Sequence, residues 1–402
     1  MSGAEGVPAQ RSSRHIRTAN RYRVLRRVLA AGPVSRPELA AATGLSQATV
    51  ATVTGELHRL GMVRAAGFED SAGGRPRALL AADPAGGTLI GVDVAETYVH
   101  AEVFDLTLRV RASTRLAPAP GEDGPARVVE RIARAVGRLL ADDGAPAGAP
   151  VLGVGVTMPG MVDREGGVSV FAANWDWREV PLLDLLTRRI PYRLYLDNPL
   201  RATTVAELWF GAARGRQDAV VVNLGTGVGA GLALGGAVHR GASNGAGEWG
   251  HTTLVHGGRV CRCGRRGCVE SYVGAPGIIR TLTELAPDAA AARAGDQTAV
   301  IAALAAGCRA ADPVALRVLE VWADQLGAAV ADLVNLLDPE VVVLSSWVAR
   351  EFGAALLTAV REAVDRYALG RPAARAEIVL SPVEGNPVSL GAATFALEGA
   401  LA

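Results

Sequence analysis

The sequence predicts an α/β chain in two parts, a small basic helical head and a large acidic body. Three observations carry this. Residues 1–80 hold twelve arginines against five acids, and the rest 29 against 35, so a net charge of +1 conceals a balance of +7 and −6. Helical periodicity near the N-terminus is interrupted by a glycine turn, whereas beyond residue 89 apolar strands alternate with helical patterns. His251, Cys261, Cys263 and Cys268 fall at metal-ligand spacing within the body. At 402 residues, half of them apolar, the chain is long enough for two to three domains and too apolar for disorder. The sequence contains no lysine, which excludes Schiff-base and P-loop lysine chemistry.

In chain order, residues 1–20 read as a disordered basic leader, and residues 21–82 as the head. The leader's arginines and its lack of an apolar run exclude a signal peptide. Val24, Leu25, Val28 and Leu29 give one face of a first helix, which Gly32-Pro33 ends. Ser35 through Glu38 form a capping box for a short second helix with Leu39 and Ala42 inward. Thr43-Gly44-Leu45 is a tight turn, and Ser46 caps a third helix from Gln47 to about Leu60. Its seam is Val50, Val53, Leu57 and Leu60. Two short helices joined by a glycine turn make a helix-turn-helix. Gln47, Ala48, Ala51 and Thr52 point away from the seam, and Ser46 and Thr49 lie beside the turn, so these six are the candidate DNA contacts. A two-stranded wing follows, with Arg75 and Arg77 at its tip, placed for phosphates or a minor groove.

Residues 83–88 read as a linker and 89–402 as the body. Leu89–Val94 is a buried strand, Val99–Val110 continues a β pattern, Pro125–Leu140 is a helix, and Val151–Val156 is a further strand. Glycines at 225, 227, 229 and 231 follow the strand Ala219–Val222. They suit backbone N–H groups closing around a phosphate, a weak signal by itself. The ligand set is stronger. Three thiolates and one imidazole close a tetrahedral Cys3His site for structural zinc, and Gly264 and Gly267 permit the tight turns between ligands. Cys308 stands alone in an alanine-rich helix and reads as a small buried hydrophobe. No uncharged apolar run of membrane-spanning length occurs, and the expected location is cytoplasmic.

These residues resemble the ROK family (repressors, open reading frames and sugar kinases) over essentially the whole chain. The resemblance rests on Glu248 through Glu270, which reproduce Glu-x-Gly-His leading to Cys-x-Cys-Gly-x-x-Gly-Cys-x-Glu. The head is similar to the winged helix-turn-helix of the regulator branch. The resemblance implies a two-lobed, actin-like ATPase (ribonuclease H-like) body. Lobe one then covers about 89–197 plus the C-terminal end, and lobe two about 198–385. It also implies sugar contacts from Asn174, Asn198, Glu248, His251 and Glu270, with His251 shared between sugar and zinc.

Three departures argue against catalysis. Family kinases carry an aspartate base directly after the asparagine at 198, and this chain has Pro199. The first phosphate loop, Asp-x-Gly-Gly-Thr in the family, reads Asp93-Val-Ala-Glu-Thr97, and the adenosine-side glycines are replaced by Ser345-Ser346-Trp347. The expected function is a dimeric, sugar-responsive transcriptional regulator, a repressor, that binds double-stranded operator DNA and is not an enzyme. The alternatives are a sugar kinase with an added DNA-binding head, and a ligand-blind regulator whose body only dimerises or docks a protein.

Overall fold

The helical spacing of Val24, Leu25 and Val28 places all three on one buried face of the first helix, α1 (Ser13–Ala31). The computed structural model describes residues 13–69, 76–119, 121, 123–141, 148–172 and 175–401. Helix α1 begins inside the stretch expected to be a disordered leader. Arg17 and Arg21 on its early turns pair with Glu56, which orders that segment. The remainder of the expected leader, residues 1–12, lies outside the described residues.

The head continues with β1 (Val34–Ser35), α2 (Arg36–Thr43), α3 (Gln47–Arg59), β2 (Val63–Phe68) and β3 (Ala78–Ala82), the strands pairing antiparallel in the order β1-β3-β2. The Glu38 carboxylate accepts both the backbone N–H and the hydroxyl of Ser35 at 2.8 Å, and Ser46 accepts from Thr49 N at 3.1 Å. Two expected core residues are exposed. Ala42 lies in the last turn of α2, where Leu39 alone is buried. Leu60 is half exposed because α3 stops at Arg59, so helical spacing no longer governs it, and Met62 fills the core instead.

The expected linker is a 3-10 turn (Pro84–Gly86), and strand pairing starts at Thr88. Lobe one comprises β4 (Thr88–Ala95), β5 (Tyr98–Asp105), β6 (Val110–Leu116), α4 (Pro125–Ala141) and β7 (Val151–Thr157). It continues with a small hairpin sheet of β8 (Met161–Asp163), β9 (Val168–Ala172) and β10 (Trp177–Val180), and with α5 (Leu182–Thr187) and β11 (Leu194–Asp197). The β pattern expected to run on to Val110 breaks where Asp105 caps a turn, accepting Thr107 N at 2.8 Å. The main sheet runs β11-β7-β4-β5-β6, with β5 and β6 antiparallel to their neighbours. Helix α4 buries Val128, Ile132, Ala135 and Leu139 against it.

Helix α6 (Pro199–Phe210) leads into lobe two. There β12 (Ala219–Leu224), β13 (Val228–Leu234) and β14 (Ala237–His239) precede the ligand loops, α7 (Glu270–Val273), α8 (Ala275–Leu285), α9 (Gln297–Arg309) and α10 (Pro313–Leu337). Strand β15 (Val341–Ser345), α11 (Trp347–Phe352), α12 (Ala354–Tyr367), α13 (Gly370–Arg375) and β16 (Glu377–Leu380) follow, and α14 (Pro387–Ala400) returns to pack on β4 and β7. The second sheet runs β14-β13-β12-β15-β16. Its strands stand in the same sequential order and directions as those of lobe one, so the body is built from two equivalent halves. The head shares a continuous core with the body, because Val24, Leu39, Val50 and Met62 belong to the same buried cluster as Leu106, Trp209 and Phe395. No single helix among the described residues is long and apolar enough to cross a membrane.

Candidate functional site

Four potential ligand atoms, one each from His251, Cys261, Cys263 and Cys268, lie within 4.8 Å of one another. His251 ends a 3-10 turn (Glu248–His251), and the three cysteines come from the following loops, where Gly264 and Gly267 adopt φ of +86° and +80°. Cys263 and Cys268 sulfurs are 3.7 Å apart, and His251 Nδ1 is 3.7 Å from Cys261 Sγ. Metal–sulfur bonds of about 2.3 Å at a tetrahedral angle separate two sulfurs by about 3.8 Å, and a sulfur and a nitrogen by about 3.6 Å. The donor set therefore fits a tetrahedral metal ion. With Nδ1 facing the thiols, the imidazole has Nε2 left to offer elsewhere.

Beside this cluster Glu270 Oε2 accepts from Val228 N at 3.0 Å, tying the ligand loops to the glycine hairpin between β12 and β13. Glu248 stands near His251, Glu270 and Arg201. Burial foremost, and then the Glu270 charge, raises its carboxyl above the usual range, while His251 and Arg201 oppose that rise. Asn198 is buried at the N-cap of α6, with Oδ1 accepting Arg201 N at 3.0 Å and Nδ2 donating to Gly160 O at 3.5 Å. Pro199 occupies the first turn, where its fixed φ and missing N–H favour helix initiation. Of the expected sugar contacts, Glu248, His251 and Glu270 come together, Asn198 adjoins them through Arg201, and Asn174 lies outside the described residues. Its neighbour Trp175 helps line a cavity of about 340 Å³ with Glu96, Asp123 and Arg131.

Sequence reasoning missed a buried ion cluster here. Asp197, fully buried, accepts from Asn198 N at 2.9 Å, Arg201 Nη1 at 2.8 Å and Arg240 Nη2 at 3.1 Å. The available signal was the i,i+4 spacing of Asp197 and Arg201. Both Asp197 oxygens are thus taken up within this cluster.

The glycine hairpin between β12 and β13 is closely packed. A Cβ added at Gly225 would lie 3.3 Å from Trp347 Nε1, and Gln297 Nε2 donates to Thr226 Oγ1 at 2.5 Å. Asp93 is buried and accepts from Tyr98 and Asn386 at 3.0 and 2.9 Å. Glu96, in the turn after β4, pairs at 3.5 Å with Arg262, which lies between Cys261 and Cys263, bridging the lobes.

In the head, Gln47, Ala48, Ala51 and Thr52 are exposed on one side of α3. The Ser46 and Thr49 hydroxyls bond each other at 2.8 Å, holding the helix start. Arg77 is exposed beside Glu69, and Arg75 lies outside the described residues.

Residues 89–398 match the sequence profile of the ROK family. A xylose repressor from Caldicellulosiruptor bescii is 28% identical over 96% of this chain and 97% of its own length. A glucokinase from Thermotoga maritima is 34% identical, but over 69% of this chain and 87% of its own. The crystal structure of a ROK-family transcriptional regulator, a homologue of the E. coli MLC protein, superimposes with a TM-score of 0.80 at 23% identity, covering 96% of this chain and 97% of that one.

Proposed function

Because the chain belongs to the ROK family, we propose that it is a DNA-binding repressor of carbohydrate-metabolism genes whose body senses a sugar or sugar derivative. The observation that carries this is the reach of the match: the similarity to the xylose repressor spans the head as well as the body.

The head acts as a winged helix-turn-helix. Gln47, Ala48, Ala51 and Thr52 supply base readout from α3, while Ser46, Thr49, Arg75 and Arg77 position the helix on the phosphates. One such helix makes few base contacts, so a homodimer reading a palindrome completes the recognition.

In the body, His251, Cys261, Cys263 and Cys268 hold zinc, which when bound supplies a closed structural cross-link with no open position for water. Those ligands fix the backbone between Glu248 and Glu270, so that both carboxylates face one sugar with Asn198, Asn174 and the free Nε2 of His251. Proline at 199 offers no proton acceptor, and a missing general base lowers rate by about 10²–10⁴-fold. The proximity of Trp347 to Gly225 supports a nucleotide side that is closed as well. The chain therefore binds sugar without phosphorylating it. A kinase carrying a DNA-binding head is the second reading, favoured by the 34% identity to a glucokinase.

The test selects a duplex from random DNA with the intact protein. It then measures its affinity with and without D-xylose, D-glucose and N-acetylglucosamine, alongside ADP release with ATP. A sugar-dependent affinity without ADP release is expected. No selected sequence, or no sugar effect across the panel, overturns the sensor reading, and sugar-dependent ADP release establishes the kinase.

A further inference from the structure

We infer that α6 is the connecting rod between the sugar site and the DNA-binding head, acting through a joint made by Tyr22, Arg26, Leu208 and Trp209. This deepens the regulatory reading above and rests on it.

The helix begins and ends at the two places that a sensor must join. Its N-cap is Asn198, the expected sugar contact, and its last turn carries Leu208 and Trp209, which touch the head. Twelve residues at 1.5 Å each span about 18 Å. Residues Arg201 through Trp209 are all buried, so the rod has no free face along which to bend. A Cβ at Gly391 would fall 1.9 Å from Ala202 O, so α14 meets the backbone of α6 directly. A displacement at one end of so tightly held a helix is carried to the other as a rigid-body shift.

The far end grips α1. Trp209 Nε1 donates to Tyr22 Oη at 2.9 Å, with the rings edge to face at 5.2 Å and 78°. Arg26 donates to Leu208 O and places its guanidinium 5.7 Å from the Trp209 ring. Helix α1 in turn holds α3, the proposed recognition helix, through Arg17 and Arg21 on Glu56. The contacts run unbroken from Asn198 through α6 and α1 to α3.

The joint also has room to move. A cavity of about 410 Å³ lies against it, lined by Tyr22, Leu208, Trp209, Arg240 and Glu398 among others. Arg240 reaches from that cavity to Asp197, the residue before Asn198, and so ties the same two places by a second route.

The test uses the full chain as wild type, Tyr22→Phe, which keeps the ring but removes the hydroxyl that accepts from Trp209 Nε1, and the Tyr22→Phe/Trp209→Phe double variant, which also trades the buried indole for a smaller ring. Affinity for the selected duplex is measured with and without saturating D-xylose or D-glucose, and sugar binding is followed separately by calorimetry. Coupled sites of this kind commonly shift affinity about 5–150-fold, and the joint variants should lose at least about fivefold of that shift. Sugar heats and sugar-free duplex affinity should stay within about twofold of wild type. A sugar-induced shift as large in the variants as in wild type overturns the rod, as does sugar binding without any shift in wild type.

If calorimetry detects no sugar, the sensor reading fails, and hydrogen exchange without ligand decides the rod by itself. Asn198→Ala should then speed exchange at the α1 amides of residues 22–29, and the double variant should abolish that response. Unchanged α1 exchange on Asn198→Ala overturns the rod.

Discussion

Replacing Glu56 by glutamine is the sharpest probe of how the head is held together. Glu56 lies on α3 with a side chain only 5% exposed, and it faces two arginines of α1. Arg21 Nε is 2.7 Å away and 22% exposed, whereas Arg17 is 58% exposed and largely screened by water. Two unit charges 4 Å apart attract by about 4 kcal/mol at an effective dielectric of 20, before desolvation is subtracted. Glutamine keeps the volume and one acceptor oxygen, so the net loss should be about 1–2 kcal/mol. The pH dependence has a definite sign. The hydrogen bond from Arg17 foremost, with the bond from Arg21 and both charges assisting against burial, holds this carboxyl below the usual range. A depressed folded value means the stabilisation is fully present above the unfolded pKa of about 4.3 and is lost as pH falls through the folded value. Urea midpoints of the full chain, followed by circular dichroism at pH 7.5, 5 and 4, should show a constant deficit for Glu56→Gln at the two higher values. At the lowest the gap should be narrowing. Equal stability at pH 7.5, or a deficit that does not shrink towards acid, would refute the reasoning.

The other expectations are shorter. Gln47→Ala should remove about 1–3 kcal/mol of discrimination at one base pair of each half-site, read from a panel of single-base duplex variants. Arg77→Ala should instead weaken all duplexes alike and reduce the slope of log affinity against log salt by about one unit. Wild-type protein should carry one zinc per chain by metal analysis, and Cys268→Ser should lose it and unfold at lower temperature. A metal-free, equally stable wild type counts against the ligand set. Ser346 adopts φ +83° and ψ 176°, a region suited to glycine, so Ser346→Gly should raise unfolding stability by about 1 kcal/mol. Unchanged or lower stability would show that its surroundings relieve that strain.

What could be read from the chain beforehand was local. The cysteine spacing located all four residues of the cluster, because such a knot is built from short loops whose geometry depends on few residues. Ser46, Gln47, Ala48, Ala51 and Thr52 were legible for the same reason, since capping and the 3.6-residue period place them without reference to anything distant. Leu60 was misplaced because periodicity was carried one residue past the end of its helix. The early turns of α1 were invisible because their order comes from Glu56, more than thirty residues away. The ion cluster on Asp197 was hidden similarly: Arg240 arrives from just beyond β14, and only the tertiary fold brings it there. The head also read as a separate bead on a linker, since nothing local in Tyr22 or Trp209 announces that they meet.

That meeting has a consequence for modularity. Sensors of this kind invite exchange, in which one head is cut at residues 83–88 and spliced to another body to redirect a sugar signal to a new gene. The continuous core argues that the cut does not fall at a natural seam, because Val24, Leu39 and Met62 pack in one cluster with Trp209 and Phe395. A transplanted head must bring a complementary α1 surface or leave the Trp209 indole and the Leu208 carbonyl stranded at the junction. Heads and bodies are therefore expected to diverge as matched pairs. A chimera should succeed when the counterparts of Tyr22 and Arg26 travel with those of Leu208 and Trp209, whatever operator it reads.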